Sequence, residues 1–212
     1  KTLNKEAQYK EMILPILFEE NLPPELFYIT MIASGLSPDA TSDNHNTIGL
    51  WQFTKPTAKQ YGLKIDNFSD ERLDVEKSTY AAAKYLKHLY HKYDDWYLAI
   101  AAYNCGETRI DRHIKYYKTK NFWKLNSLPK ITQNYLPSIL ALIFISNDPE
   151  KYGFEVERNI SLGIDTLLEK AIELSKKPDT DFNHVEHVEF KKHTIKKGES
   201  LWNIAIKYGS TI

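Results

Sequence analysis

Between Val75 and Ile143 the apolar residues return every three or four positions, and that period constrains most of what the chain can become. Val75, Thr79, Ala82, Leu86, Leu89 and Tyr93 step by four and three, the spacing of one helix face. Asp74 stands where an N-cap belongs. Trp96, Ala99, Ile100 and Tyr103 repeat the pattern, and Gly106 closes that helix beside Asn104. Ile110, Ile114 and Tyr117 mark a short helix. Leu136, Ile139, Leu140 and Ile143 mark a strongly apolar one, where Pro137 is tolerated only in a first turn or at a kink. Upstream, Pro23-Pro24-Glu25 reads as a helix start, followed by Leu26, Ile29 and Ile32 at helical spacing. Gly35 is the expected C-terminal cap, so residue 33 falls in the last turn before a loop. The stretch Asp43 to Gly49 reads as loop, and no strand alternation occurs before residue 185.

Residues 1–150 therefore read as a mostly-α domain. Residues 151–190 read as a linker, in which 164–176 can form an amphipathic helix, and 191–212 change character. There His193-Thr194-Ile195 suggests a short strand, Lys197-Gly198 a turn, and Glu199 to Tyr208 a helix.

Composition narrows the function. The 212 residues are 42% hydrophobic and 26% charged, which suits a globular chain with one sizeable core. Lys+Arg and Asp+Glu balance at 28 each, so no long-range field attracts nucleic acid. The pairs Lys191-Lys192 and Lys196-Lys197 read as solvated faces. Cys105 is the lone cysteine, which rules out an internal disulfide. No run of about 18 apolar residues is present to span a membrane. Lys1-Thr2-Leu3-Asn4 is not a secretory leader, so export would require one that has been removed or left out. His184, His187 and His193 match no compact metal site, and no metal or cofactor is expected. No internal repeat of about 34 to 47 residues marks a helical solenoid.

Three segments carry chemistry. The first is Ala33-Ser34-Gly35-Leu36-Ser37-Pro38-Asp39-Ala40-Thr41-Ser42. The second is Gly49-Leu50-Trp51-Gln52-Phe53, and the third Ala101-Ala102-Tyr103-Asn104-Cys105-Gly106. In this order and spacing they resemble the Slt-type lytic transglycosylases, and especially the membrane-bound lytic transglycosylase D group. Their pattern is Glu-Ser-x-x-x-Pro-x-Ala-x-Ser, then Gly-Leu-Trp-Gln-Phe or -Met, then Ala-Tyr-Asn-x-Gly. The resemblance covers about residues 10 to 150. A fourth segment, Leu128 to Tyr135, matches in part: Thr132 and Tyr135 fit, whereas Ile131 and Gln133 stand where the family usually has glutamate and often arginine. The C-terminal segment from His193 resembles the first half of a LysM module, a binder of N-acetylglucosamine-containing glycans. A half-module is not expected to fold well alone.

The resemblance implies a lysozyme-like helical domain with a substrate groove. It also implies cleavage of the β-1,4 bond between N-acetylmuramic acid and N-acetylglucosamine in peptidoglycan. One glutamic acid protonates the leaving oxygen, then takes a proton from the C6 hydroxyl of the same muramic acid, which closes on C1 to a 1,6-anhydro sugar. That nucleophile is intramolecular, so its effective concentration is high. Here the position of that general acid/base holds Ala33, which cannot transfer a proton, so the chain is expected to be inactive. The intact motifs around it favour a replaced catalytic group on a working scaffold. A natural glycan-binding pseudoenzyme is the alternative.

By resemblance, Ser34 would lie near the reacting sugars, Gln52 would donate to them and Phe53 would line the floor. Tyr103 would orient the absent carboxylate, Asn104 would bond an N-acetyl group and Tyr135 would close the groove. Bland readings stand beside these: Ser34 bonding its own helix, Tyr103 in the core, Asn104 as a helix cap. Trp51 reads as packing and Cys105 as a buried, inert thiol. Glu107 is the nearest other acid, and a first-turn helix position explains it. The implied partner is the peptidoglycan glycan strand, met by a monomer in the bacterial periplasm and lipid-anchored in a full-length protein.

Overall fold

A computed structural model of the chain describes residues 2–43, 45–148 and 150–153. The expected helix at 164–176, the three linker histidines and the LysM-like segment lie outside the described residues.

The described part is helical, as the periodicity predicted. Helix α1 (Thr2–Glu19) is followed by a 3₁₀ turn (Pro24–Phe27) and α2 (Tyr28–Ser34). Next come β1 (Thr47–Ile48), β2 (Phe53–Thr54), α3 (Lys55–Gln60) and a second 3₁₀ turn (Glu71–Leu73). Helices α4 (Val75–Tyr93), α5 (Trp96–Cys105), α6 (Glu107–Tyr117) and α7 (Lys130–Asn147) complete the domain. The caps follow the sequence: Asp74 and Asp95 accept from Lys77 N–H and Leu98 N–H, closing the first turns of α4 and α5.

Helix α5 is the axis of the fold. Leu98, Ala99, Ile100, Ala101 and Ala102 are all buried, so it is apolar on every side, as an interior helix must be. Its alanines let α4, α6 and α7 pack closely against it. Leu86 and Leu89 of α4 and Leu136 and Ile139 of α7 fill the layers on either side, and Ile13 and Leu17 bring α1 onto α4.

Three expectations are corrected. The segment from Pro24 does not start one continuous helix: it makes a 3₁₀ turn first and becomes α-helical at Tyr28. The chain does have strands before residue 185. Thr47 pairs with Thr54 and Ile48 with Phe53, antiparallel. Two residues per strand are too few to display an alternation. Pro137 lies inside α7 rather than in its first turn, and Pro15 inside α1. Each removes one helical hydrogen bond. The burial of Tyr135, Leu136 and Ile139, and of Ile13, Leu14, Ile16 and Leu17, outweighs that loss.

Candidate functional site

Ala33 sits half-buried in the last turn of α2, where the sequence placed it. Gly35 ends the helix at φ +61 and returns its N–H to Met31 O at 3.1 Å. The next side chain, Ser34, lies 2.9 Å from Thr30 O of its own helix and 2.8 Å from Leu50 O across the loop. One hydroxyl proton is thus shared between two carbonyls. Ser34 is a brace between α2 and the β1–β2 hairpin, and its proton is not offered to a ligand.

The hairpin turn, Gly49 to Gln52, is held in a conformation that few residues adopt. Gly49 has φ +88 and Gln52 has φ +51. The Gln52 side chain compensates for its left-handed backbone. Its amide donates to Ala40 O at 3.0 Å and Gly49 O at 2.7 Å, and its carbonyl accepts from the Thr47 hydroxyl at 2.7 Å. Both amide protons are engaged inside the loop, so the side chain latches the turn. Trp51 is fully buried, and its indole N–H reaches the Thr79 hydroxyl at 2.9 Å.

Tyr103, near the end of α5, donates its hydroxyl to Trp51 O at 2.9 Å. Burial holds the phenol well above its usual pKa, so it stays protonated. Its proton is therefore directed at a backbone carbonyl and not at residue 33, as the sequence reading had it. The phenol oxygen can still accept. Ser34 and Tyr103 between them hold consecutive carbonyls, Leu50 and Trp51. Two helix ends are clamped to one stretch of loop.

Beneath lies a row of aromatic rings. Phe53 packs edge-on to Tyr103 at 6.2 Å, Tyr103 lies 5.2 Å from Tyr85, and Tyr85 lies 4.7 Å from Tyr61. Phe53 is 3% exposed, so it supports the floor from below. Tyr135 of α7 is also buried, and burial raises its pKa. Asn104 accepts at 2.8 Å from the Thr132 hydroxyl, which fixes its amide orientation and ties α5 to α7. Its amide nitrogen has no acceptor among the described residues and remains available to a carbonyl such as that of an N-acetyl group.

Glu107 opens α6 and pairs with Lys92 at 2.7 Å, which holds its carboxyl below the usual range. The ion pair favours its ionised form. Gln133 donates to Asn126 O and Leu128 O, fastening the start of α7, while Ile131 is 75% exposed. Cys105 is only half-buried, yet burial raises its pKa, which disfavours the thiolate. No group of three or more His, Cys, Asp or Glu suited to a metal occurs among the described residues, and no described helix is long and apolar enough to cross a membrane.

Sequence reasoning missed three contributors. Tyr85 and Tyr61 extend the aromatic row, and Arg72 braces it from behind. Arg72 is 5% exposed, pairs with Asp70 at 2.6 Å and donates to Phe53 O at 3.2 Å. Nothing in the local pattern shows which helix face meets which, so the partners of the two tyrosines are set by packing. A cleft opens beside Tyr61.

Comparison with known proteins agrees with the motif order. The family described as "Transglycosylase SLT domain" matches residues 17–126, and that described as "LysM domain" matches residues 193–212. Membrane-bound lytic murein transglycosylase D of Escherichia coli K12 is 39% identical over 140 residues, 64% of this chain. Peptidoglycan transglycosylase gp16 of Escherichia phage T7 is 38% identical over 96 residues, 44% of this chain and 7% of the phage protein. The chain spans 30% of the length of the Escherichia coli relative. The helix-end position, the latched hairpin and the Tyr103-Asn104 pair all lie inside the first of these matched regions, which takes in more than half of the sequence, and the chain belongs to the transglycosylase SLT domain family.

Proposed function

We propose that this chain is the scaffold of a peptidoglycan lytic transglycosylase that binds N-acetylated glycan strands and, in this form, does not cleave them. The observation that carries the reading is Ala33, half-exposed at the end of α2 beside a loop whose Leu50 and Trp51 carbonyls are held by Ser34 and Tyr103. A glutamic acid at this position would protonate the glycosidic oxygen between N-acetylmuramic acid and N-acetylglucosamine. It would then deprotonate the C6 hydroxyl that closes the 1,6-anhydro ring. Asn104 would hold an N-acetyl group, and the aromatic row would support the sugar rings. General acid–base help is worth about 10²–10⁴-fold. With Ala33 in place and Glu107 ionised by Lys92, the motifs supply no proton donor for the leaving group.

The reading divides the chain into a catalytic-type domain (1–150), a linker (151–190) and a glycan-binding LysM segment (191–212). It places the protein, as a monomer, in the periplasm of a bacterial envelope, with a lipid anchor in the full-length form. A second reading is favoured by Ala33 together with the exposed Ile131: a natural peptidoglycan-binding protein without catalysis.

One experiment separates them. Ala33→Glu should digest purified peptidoglycan sacculi to products ending in 1,6-anhydro-N-acetylmuramic acid, lighter by one water than hydrolytic products in a mass spectrum. Reducing-end products would mean a hydrolase. A folded variant that yields no products would establish the binding reading.

A further inference from the structure

At the far end of the aromatic row the surface opens into a cleft of about 370 Å³ whose lining includes Tyr61, Lys64, Glu71, Lys77, Tyr80 and Lys84. Its position ties it to the candidate site: the Tyr61 ring that forms one wall also stacks on Tyr85, which in turn meets Tyr103. Its charge sets it apart from that site. Three lysines face one glutamate. Glu71 pairs with Lys77 at 2.7 Å and accepts from the Lys64 backbone N–H at 2.7 Å, so it is fully engaged. Lys64 and Lys84 form no ion pair with a described carboxylate. Tyr80 donates its hydroxyl to Glu19 at 2.6 Å, which leaves its oxygen only as an acceptor. The cleft therefore presents two ammonium groups outside any close ion pair, those of Lys64 and Lys84, with the Asp66 and Glu71 carboxylates acting on Lys64 from a distance.

A chain of N-acetylated sugars is neutral and gains little from two ammonium groups. A glycan carrying carboxylates gains directly, because each exposed Lys–carboxylate pair adds a small, salt-sensitive attraction. We infer that the cleft holds a carboxylate-bearing substituent of the bound glycan strand. This rests on the glycan-binding reading above and adds to it the part of the polymer that the enzyme selects. Two sources share the chemistry: an acidic peptide attached to the strand, and the free lactyl carboxylate of a peptide-stripped muramic acid.

The test compares the whole chain with the Lys64→Gln/Lys84→Gln double variant by calorimetry at low and high salt. Three ligands are used: a neutral N-acetylglucosamine oligomer, a peptide-free oligomer containing muramic acid, and the same oligomer bearing its peptide. Both lysines are exposed, so the double variant should fold. It should bind the neutral oligomer as the parent does and lose about 3- to 20-fold in affinity for a carboxylate-bearing one, with the difference vanishing at high salt. Loss on the peptide-bearing ligand alone identifies the peptide, loss on the peptide-free acidic ligand alone identifies the lactyl carboxylate, which is an amide in the peptide-bearing one, and loss on both shows that the cleft accepts either carboxylate. Unchanged affinity for both acidic ligands overturns the proposal, as does an equal loss on the neutral one.

A separate readout keeps the two readings apart. The free acidic peptide should shift the Tyr61 and Tyr80 ring resonances in the parent and not in the double variant. If the neutral oligomer fails to bind, the glycan reading fails, and this peptide footprint still decides for or against the cleft. A missing footprint together with unchanged affinity of the double variant for the peptide-free acidic oligomer, beside normal binding of the neutral oligomer, overturns the cleft alone.

Discussion

Ser34 and Tyr103 hold neighbouring carbonyls. The Ser34 hydroxyl reaches Leu50 O at 2.8 Å, and the Tyr103 hydroxyl reaches Trp51 O at 2.9 Å. The two residues come from different helices, yet each spends its proton on the same loop. The end of α2, which carries residue 33, and the end of α5, which carries Asn104, are thereby fixed to one another through backbone. Position 33 lies at the end of the first of these two clamped helices.

Removing one of these clamps has a defined cost. Tyr103→Phe keeps the ring and its contacts but leaves Trp51 O, in a fully buried residue, without its donor. The variant should lose about 1–3 kcal/mol of stability, read as a lower urea midpoint with an unchanged slope. No change in midpoint would show that another donor replaces the phenol.

Gly49 and Gly62 form a controlled pair. Both have positive φ, +88 and +95. A Cβ on Gly49 would lie 2.0 Å from Arg72 O, whereas a Cβ on Gly62 would meet nothing within 4 Å. Gly62→Ala should cost about 1–3 kcal/mol through backbone strain alone. Gly49→Ala adds overpacking against Arg72 and should cost about 2–6 kcal/mol, with displacement of the hairpin. Equal melting temperatures for the two variants would contradict the tight hairpin–Arg72 contact.

The Asp70–Arg72 pair sets a pH dependence. Hydrogen bonding from Arg72 holds the Asp70 carboxyl below its usual value of 3.8. A depressed folded-state pKa contributes stability that is complete above the unfolded value and is lost as pH falls through the folded one. Asp70→Asn should be less stable than the parent at neutral pH, since buried Arg72 loses its counter-charge. The two urea midpoints should converge below about pH 4. Parallel curves down to strong acid would show that the pair contributes no linkage.

The sequence by itself determined helices α4 to α7, the Asp74 and Gly35 caps and the position of residue 33. Those are local properties: a three-four apolar period, an aspartate before α4 and a glycine after α2. Ordered motifs were enough to indicate the family, because they are read along the chain. Hydrogen-bond commitments were not legible. Gln52 bonds Ala40 O and Gly49 O, and Tyr103 bonds Trp51 O. Only the fold brings Ala40, Gly49 and Trp51 carbonyls within reach of those side chains, and a buried carbonyl must be satisfied before a ligand can be. The aromatic row through Tyr61 and Tyr85, and the lysine-rimmed cleft at its end, have the same origin. They depend on which face of α4 turns toward α3 and α5, and that was decided by packing around the alanine-rich α5, at separations in sequence that no local pattern spans.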